Sequence, residues 1–170
     1  MLIFHQKITN KSGSETVYEL MRKAFSSICT DSFPEIAKTK NGKPYFPSKP
    51  DLHFSLSHTK SHVLCAISNN PIGCDIEPLD REISGKALEY FATPEELSQF
   101  NPLDLWVLKE SYVKLFGLTF ASIRHLRFSR NADKIILPDP NITARLYIID
   151  GCRAAVCAFE KDFPESSELI

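Results

Sequence analysis

The sequence lacks the features that mark several classes of protein. No run approaches about 18 consecutive apolar residues, and the first residues do not combine a basic segment with a long apolar core, so neither a membrane-spanning helix nor a signal peptide is expected. No glycine-rich phosphate loop of the common mononucleotide type is present. The five cysteines show no Cys-x-x-Cys spacing, which argues against a structural zinc site and for a reducing compartment, the cytoplasm.

A strong excess of charge of one sign is also missing. Twenty Lys and Arg residues against 21 Asp and Glu residues give a formal net charge of −1. Without a global basic field, we expect no nucleic-acid partner, and a phosphate-bearing ligand would have to be bound locally. With 170 residues, 43% of them hydrophobic, the chain is long enough to fold without disulfides or metal.

Hydrophobic periodicity predicts an α+β fold. Asn41-Gly42 is the best hairpin signal, Thr93-Pro94 predicts the start of a helix, and Gly117 predicts the end of one. Strands are predicted at 2–9, 36–38, 44–46, 53–57, 63–67, 72–77, 123–128, 134–137, 143–149 and 153–159. Helices are predicted from Ser14 to about 28, and at 83–91, 94–100 and 103–117. This order predicts two sheet-bearing lobes.

Two carboxylates share one face of a predicted strand. Asp75 and Glu77 are two residues apart, so their side chains project together while Ile76 points the other way. Like charges on one face repel unless water screens them or a cation lies between them, and oxygen-only ligation suits a hard ion such as Mg²⁺. The plainer interpretation is a solvated strand edge, and this pattern alone favours it.

A second group lies on a predicted helix. Trp106, Glu110 and Lys114 follow one another at intervals of four residues, on one helical stripe. A surface ion pair between Glu110 and Lys114 is the simpler interpretation. Alternatively, Glu110 is a third oxygen ligand if this helix crosses the strand that carries Asp75 and Glu77. Lys114 would then lie one turn further on, placed to neutralise a phosphate.

Two further segments are weak signals when each is taken alone. Ser57-His58 ends a predicted strand and offers donors to an anion, but neighbours on a strand face opposite ways and do not form a nucleophile–base pair. Gly42-Lys43-Pro44 is equally what a hairpin with an exposed lysine contains.

The order of the motifs is far more specific than any one of them. The chain contains Gly-Lys-Pro at 42–44, Phe-x-x-Ser-His at 54–58, Ile-Gly-x-Asp-Ile-Glu at 72–77, Phe-x-x-x-Glu at 91–95 and Trp-x-x-Lys-Glu-Ser-x-x-Lys at 106–114. In this order they resemble the Sfp-like 4'-phosphopantetheinyl transferases, in register from about residue 41 to 117. The sequence departs from the family pattern at Ser55, where the family has Asn, and in a shorter N-terminal segment without the family's basic motif.

The resemblance implies a fold of two similar α+β lobes, a pseudo-dimer within one chain, with the active site at their junction and the first lobe abbreviated. We expect a single transferase domain over residues 1–170, with approximate lobes 1–70 and 71–160 and a polar C-terminal tail at 161–170. A monomer is expected, with self-association left open.

The resemblance also implies a reaction: the 4'-phosphopantetheine arm of coenzyme A moves to a serine of an apo acyl or peptidyl carrier protein, and adenosine 3',5'-bisphosphate is released. In the family pattern, Asp75, Glu77 and Glu110 hold Mg²⁺, or Mn²⁺ in its place. Glu110 accepts the serine proton, directly or through a water on the metal, and Lys114 balances the departing phosphate. The implied contacts to coenzyme A are Lys43, Ser57, His58, Asp75 and Lys114.

Other residues are assigned more loosely. Glu95 matches an accessory acidic residue near the metal, and Thr16 aligns with a threonine near the coenzyme A 3'-phosphate. The residues considered for the missing basic motif are Lys7, Lys11, Arg22 and Lys23. The residues considered for receiving the acidic helix of a carrier protein are Arg124, Arg127, Arg130, Phe120 and Phe128, for which a solvated face is the alternative. Two other functions are a non-catalytic module that binds coenzyme A or a carrier protein, and a metal-dependent hydrolase that removes the arm.

Overall fold

The computed structural model of the protein describes residues 1–9 and 12–163. Within them, the strands are β1 (Leu2–Lys7), β2 (Ala37–Lys38), β3 (Pro44–Tyr45), β4 (His53–His58), β5 (His62–Ser68), β6 (Gly73–Pro78), β7 (Ser129–Asn131), β8 (Lys134–Ile136), β9 (Ile142–Ile149) and β10 (Cys152–Phe159). The α-helices are α1 (Gly13–Ile28), α2 (Gly85–Phe91), α3 (Pro94–Leu97) and α4 (Pro102–Phe116). No helix in the described part of the chain is long and apolar enough to cross a membrane.

The longer strands form two antiparallel sheets with the same connectivity. Their strand orders are β1-β5-β4 and β6-β10-β9, so in each sheet the last strand of the set inserts between the other two. In each set a helix, α1 or α4, follows the first strand along the chain. The expected α+β class is therefore confirmed. The repeated topology is what a pseudo-dimer predicts, but the pseudo-dimer itself stays a prediction.

Three apolar clusters pack the two sheets against the two long helices and against each other. The cluster beneath α1 includes Val17, Leu20, Met21, Phe25, Phe54, Val63, Cys65 and Ile67. The cluster beneath α4 includes Phe91, Leu105, Leu108, Tyr112, Ile123, Phe128, Ala155 and Cys157. The third lies between the sheets and includes Ile3, Leu64, Ala66, Ile72, Cys74, Ile76, Ala154 and Val156. Because strand residues alternate in direction, β5 supplies two clusters from its two faces and is buried along its whole length.

The two sheets are linked where β4 runs beside β6. Here serine hydroxyls replace backbone carbonyls as acceptors: Ser55 Oγ accepts from the Cys74 amide at 2.9 Å, and Ser57 Oγ accepts from the Ile76 amide at 3.4 Å. Both serines project from one face of β4, two residues apart, and meet amides two residues apart on β6. This pairing sets the register between the sheets, and it gives the Ser55 hydroxyl a buried partner.

Helix α4 packs directly on β6 at Gly73. A Cβ atom at this glycine would overlap backbone atoms of Ser111 and Leu115, so only glycine allows the helix and the strand to come this close. Asp75 lies two residues further along β6, on the side where the stripe of Glu110 and Lys114 crosses. The close approach thus positions acidic and basic side chains from two elements.

Several local predictions are confirmed. Short strands β2 and β3 flank the Asn41-Gly42 hairpin, α3 begins at the predicted Thr93-Pro94 cap, and Gly117 ends α4 in the left-handed conformation at φ 61°.

Three others are corrected. The strand predicted at 123–128 is wrong, since Phe120–His125 forms a 3₁₀ helix that buries Ile123. Helix α1 starts earlier than predicted, with Ser12 and Glu15 forming its capping box. Helix α3 ends at Leu97, before the predicted residue 100. Lys11 and residues 164–170 of the predicted tail lie outside the described residues.

Candidate active site

The centre of the candidate site is Asp75, a carboxylate only 4% exposed at the junction of the two sheets. Its Oδ1 accepts hydrogen bonds from Ser57 Oγ at 2.8 Å and from Lys114 Nζ at 2.7 Å. Lys114 Nζ also donates to Ser57 Oγ at 3.0 Å, which closes a triangle of three groups. Asp75 Oδ2 is buried and has no hydrogen-bond partner among the described residues. Oδ1 of this carboxylate is therefore engaged in hydrogen bonds, whereas Oδ2 is available to bind a further group.

Glu110 lies beside this cluster, one turn before Lys114 on α4. Burial, followed by the charge of Asp75, raises the pKa of Glu110, and the charges of Lys114 and Arg81 oppose the rise only in part. Burial pulls the pKa of Lys114 down, but the Asp75 carboxylate and Glu110 outweigh it and raise that pKa above its ordinary value. Lys114 is therefore charged at neutral pH, while Glu110 is a stronger base than an ordinary glutamate.

Glu77 is held by a residue that the sequence motifs do not contain. Its Oε1 accepts a hydrogen bond from Arg81 Nη1, and the Arg81 guanidinium stacks on Trp106, 4.6 Å from the ring centroid. The two carboxylates that share a face of β6 are thus each paired with a cationic side chain, Asp75 with Lys114 and Glu77 with Arg81. No spacing rule in the sequence identifies Arg81, because it follows the strand in an irregular segment.

Lys43 reaches the same region from the hairpin. Its Nζ donates to the Leu115 carbonyl at 2.5 Å, near the C-terminus of α4 where a cation is favoured. Burial lowers the pKa of Lys43 to about 8. A cavity of about 210 Å³ is lined by both Lys43 and Lys114, together with Ser55 and Gly117. The structure therefore brings two of the predicted coenzyme A contacts to one concave surface.

His58 lies at the other end of the junction. It is exposed at the end of β4, and its Nδ1 lies close enough to Gly13 that a Cβ there would be 2.7 Å away. Thr16, on the first turn of the same helix, is buried and donates to the Ser12 carbonyl at 2.9 Å. His58 is therefore placed against the N-terminal turn of α1, while the Thr16 hydroxyl is already engaged.

An ion pair that sequence reasoning missed joins Lys109 of the Lys-Glu motif to Glu96, the residue just after the Phe-x-x-x-Glu motif. Glu95 is exposed, whereas the adjacent Glu96 is buried and pairs with Lys109, whose side chain is 0% exposed. Lys109 Nζ donates to Glu96 at 2.9 Å, to the Phe91 carbonyl at 2.5 Å and to the Leu126 carbonyl at 3.0 Å. Of the two adjacent residues Lys109 and Glu110, the first holds the structure together and only the second faces the site.

The residues considered for carrier-protein docking differ in how far they are exposed. Phe120 is 51% exposed and stacks on Tyr90, with 5.8 Å between ring centroids. Phe128 is buried in the cluster beneath α4, so its assignment to an exposed docking surface is wrong. Arg130 stacks on Phe100 at 4.8 Å, and the guanidinium of Arg127 donates to the Arg124 carbonyl at 2.8 Å.

The basic residues considered for the coenzyme A phosphate are spread over the first lobe. Lys7 ends β1, and Lys23 Nζ donates to Gln6 Oε1 at 3.0 Å. The Arg22 guanidinium lies over the Phe33 ring at 4.3 Å. None of these contacts brings them to the cavity between Lys43 and Lys114.

The chemistry of the donors fits a hard divalent cation, although the carboxylates do not form a finished cage. Across residues 1–9 and 12–163, no three His, Cys, Asp or Glu side chains are close enough together to hold an ion. Asp75 offers its unpartnered Oδ2, Glu110 lies near enough for its pKa to respond to Asp75, and Glu77 is engaged by Arg81. The assignment of Asp75, Glu77 and Glu110 as oxygen ligands of Mg²⁺ therefore stays a prediction.

Comparison with known proteins identifies the family. Residues 71–161, more than half of the chain, match the family model of the 4'-phosphopantetheinyl transferase superfamily. The 4'-phosphopantetheinyl transferase Sfp of Bacillus subtilis is 34% identical over 146 residues, covering 76% of this chain and 65% of that protein. The 4'-phosphopantetheinyl transferase psf-1 of Bacillus pumilus is 37% identical, and the match covers 76% of this chain and 63% of that protein. The 4'-phosphopantetheinyl transferase gsp of Aneurinibacillus migulanus is 39% identical, and the match covers 47% of this chain and 37% of that protein. The chain spans less than two thirds of the length of these relatives. It belongs to the 4'-phosphopantetheinyl transferase superfamily.

Proposed function

We propose that this chain transfers the 4'-phosphopantetheine arm of coenzyme A to a serine hydroxyl of an apo acyl or peptidyl carrier protein and releases adenosine 3',5'-bisphosphate. The observation that carries the proposal is the triangle of Asp75, Ser57 and Lys114 with Glu110 beside it. In this arrangement Lys114 is a fixed cation, Asp75 is a carboxylate with an available oxygen, and Glu110 is a base. The relatives named as 4'-phosphopantetheinyl transferases support the same activity.

The lysines account for recognition of the phosphates. Lys114 is held in place by Asp75 and Ser57 and is charged at neutral pH, so it offsets the charge that grows on the leaving bisphosphate. Lys43 lines the same cavity and supplies a second cation while it is protonated. His58 offers a donor beside the first turn of α1, where helix amides favour an anion. Together these groups orient coenzyme A for in-line attack.

Glu110 is the base that accepts the proton of the carrier serine. Its raised pKa improves the match between base and hydroxyl at neutral pH. As the proton moves to Glu110, the serine oxygen forms a bond to the phosphorus of the arm. The bond from that phosphorus to the bridging oxygen breaks, and the electron pair leaves with the bisphosphate.

We propose Mg²⁺, or Mn²⁺ in its place, as the cofactor, held by Asp75, Glu77 and Glu110. When bound, such an ion neutralises the coenzyme A pyrophosphate and its developing charge. The unpartnered Oδ2 of Asp75 and the all-oxygen donor set support this assignment.

We also propose that the protein acts in the cytoplasm as one transferase domain over residues 1–170, with lobes 1–70 and 71–160, and as a monomer. All five cysteines are free, and four of them are buried as small apolar side chains, as expected in a reducing compartment. Neither a nucleic acid nor a membrane is part of the proposed reaction.

The test is a mass measurement on carrier proteins. The purified protein is incubated with coenzyme A, Mg²⁺ and a panel of apo carriers from fatty-acid, polyketide and peptide synthesis. A carrier that is served gains about 340 Da, the mass of the arm, and its serine-to-alanine variant gains nothing. No gain on any carrier would refute the proposal. Loss of the same mass from holo carrier would indicate the hydrolase, and binding of coenzyme A without transfer would indicate the binding module.

A further inference from the structure

Arg81 joins two parts of the site that the sequence motifs treat separately. It follows β6 and donates to Glu77 on that strand, while its guanidinium stacks on Trp106 of α4 at 4.6 Å. Both members of the ion pair are partly buried, with side-chain exposures of 33% for Arg81 and 20% for Glu77. The planar guanidinium suits both contacts at once, which a lysine ammonium would not.

The two carboxylates of β6, Asp75 and Glu77, differ in whether a cation could bind them without breaking an existing contact. Asp75 binds Lys114 through Oδ1 only, so its Oδ2 can accept a cation without breaking that contact. Glu77 has a guanidinium directly on its carboxylate. A divalent ion on Glu77 would lie within a few ångströms of this charge, and the repulsion between the two cations is strong in a partly buried site. Arg81 and the ion are therefore competitors for Glu77.

We propose that Arg81 is a positioning residue that holds Glu77 until a divalent cation binds and is then displaced from it. This inference rests on the proposed function for the identity of the cation and its ligands, Asp75, Glu77 and Glu110. Until the exchange, Arg81 neutralises Glu77 and so limits its repulsion of Asp75. The strength of the ion pair then sets how much cation is needed to load the site.

The chain provides its own reporter for this exchange. Trp106 is its single tryptophan, so emission at long wavelength comes from the ring on which the Arg81 guanidinium stacks. Displacement of Arg81 removes a cation from the face of this ring and changes its emission. The exchange as proposed withdraws the guanidinium from Trp106 as well as from Glu77, whereas a distant effect of charge would leave the stacking intact.

The experiment is a titration of the EDTA-treated full chain with Mg²⁺ alone, followed by tryptophan emission and by calorimetry. In the wild-type protein we expect a saturable emission change with the same Kd as the calorimetric binding. In Arg81→Ala we expect a Kd about two- to fivefold lower, the range set by a partly exposed ion pair, and no emission change. Arg81→Lys keeps a competing charge and should bind Mg²⁺ with nearly the wild-type Kd.

A matched control is Arg130→Ala, because Arg130 also stacks on an aromatic ring, that of Phe100 at 4.8 Å. This variant should keep the wild-type Kd and the wild-type emission change. Circular dichroism checks that each variant is folded, and Arg81→Gln replaces Arg81→Ala with the same expectations if the alanine variant does not fold.

Three results would overturn the proposal: unchanged or weaker Mg²⁺ binding in Arg81→Ala, wild-type binding that leaves Trp106 emission unchanged, or no saturable Mg²⁺ binding in either protein. These outcomes are separate from failure of the transferase activity. The carrier mass assay tests that activity on the wild-type protein, which can transfer the arm whether or not Arg81 competes with Mg²⁺.

Discussion

Substituting two adjacent residues of α4 should separate stability from catalysis. In Lys109→Met, an ammonium that makes three hydrogen bonds in the protein interior is lost. Glu96 is then left in a buried position without its cation. Removing one partner of a buried ion pair costs about 3–5 kcal/mol, a large fraction of the roughly 5–15 kcal/mol that stabilises a typical domain. We therefore expect the free energy of unfolding of Lys109→Met to fall by about 3–5 kcal/mol.

Glu110→Gln should have the opposite effect. Burial and the charge of Asp75 already disfavour the ionised form of Glu110, as its raised pKa shows. A neutral amide of the same shape should therefore change the free energy of unfolding by less than about 0.5 kcal/mol. Transfer of the arm should nevertheless be abolished, because the amide cannot accept the serine proton.

Urea unfolding followed by circular dichroism measures both stabilities, and the carrier mass assay measures transfer. The double variant Lys109→Met/Glu96→Gln serves as a control: removing the second charge should recover part of the loss, with a coupling energy of roughly 0.5–3 kcal/mol. A loss under about 1 kcal/mol in Lys109→Met would refute the reasoning about the buried pair. A strongly destabilised Glu110→Gln would refute the assignment of Glu110 to chemistry.

Three other variants test the junction and the lysine in the cavity. Gly73→Ala should lower the free energy of unfolding by at least about 2 kcal/mol, since its methyl group would overlap the backbone of Leu115; an unchanged melting temperature would contradict this. Ser57→Ala should cost about 1–2 kcal/mol in a urea titration, because Asp75 loses a buried donor; a neutral effect would mean that water replaces the hydroxyl. The value of kcat/KM for coenzyme A should fall as pH rises through about 8, where Lys43 loses its proton and its attraction for phosphate. Lys43→Arg should remove this fall, and a wild-type profile that stays flat through that pH would exclude Lys43 from binding.

The sequence predicts correctly which side chains share a face where their spacing matches the repeat of a strand or of a helix. Asp75 and Glu77 share a face because β6 alternates every two residues, and Glu110 and Lys114 share a face because α4 turns in just under four. Gly117 ends the helix for an equally local reason, its left-handed conformation.

Sequence reasoning failed where a contact depends on the tertiary fold. Glu96 and Lys109 are 13 residues apart on different helices. The Thr-x-x-Glu spacing from Thr93 identifies Glu96 as a capping-box residue, but nothing local pairs it with Lys109. Arg81 follows β6 without a regular pattern. The apolar spacing around Ile123 predicts a strand where the structure has a 3₁₀ helix, because six residues are too few for such spacing to separate the two.

The geometry of the candidate site depends on the register of the two sheets through one hydroxyl group. Ser57 Oγ accepts from the Ile76 amide and so helps to hold β6 beside β4, and the same oxygen donates to Asp75 and accepts from Lys114. A slip of β6 by one residue would turn Asp75 to the opposite face and break its contacts with Ser57 and Lys114 together. The site is therefore assembled only when the two sheets are joined in their native register, which explains why its residues come from β4, β6 and α4 rather than from one continuous segment. By the same reasoning, a change that loosens the junction should displace Asp75 from Lys114 before it disturbs the cores beneath α1 and α4.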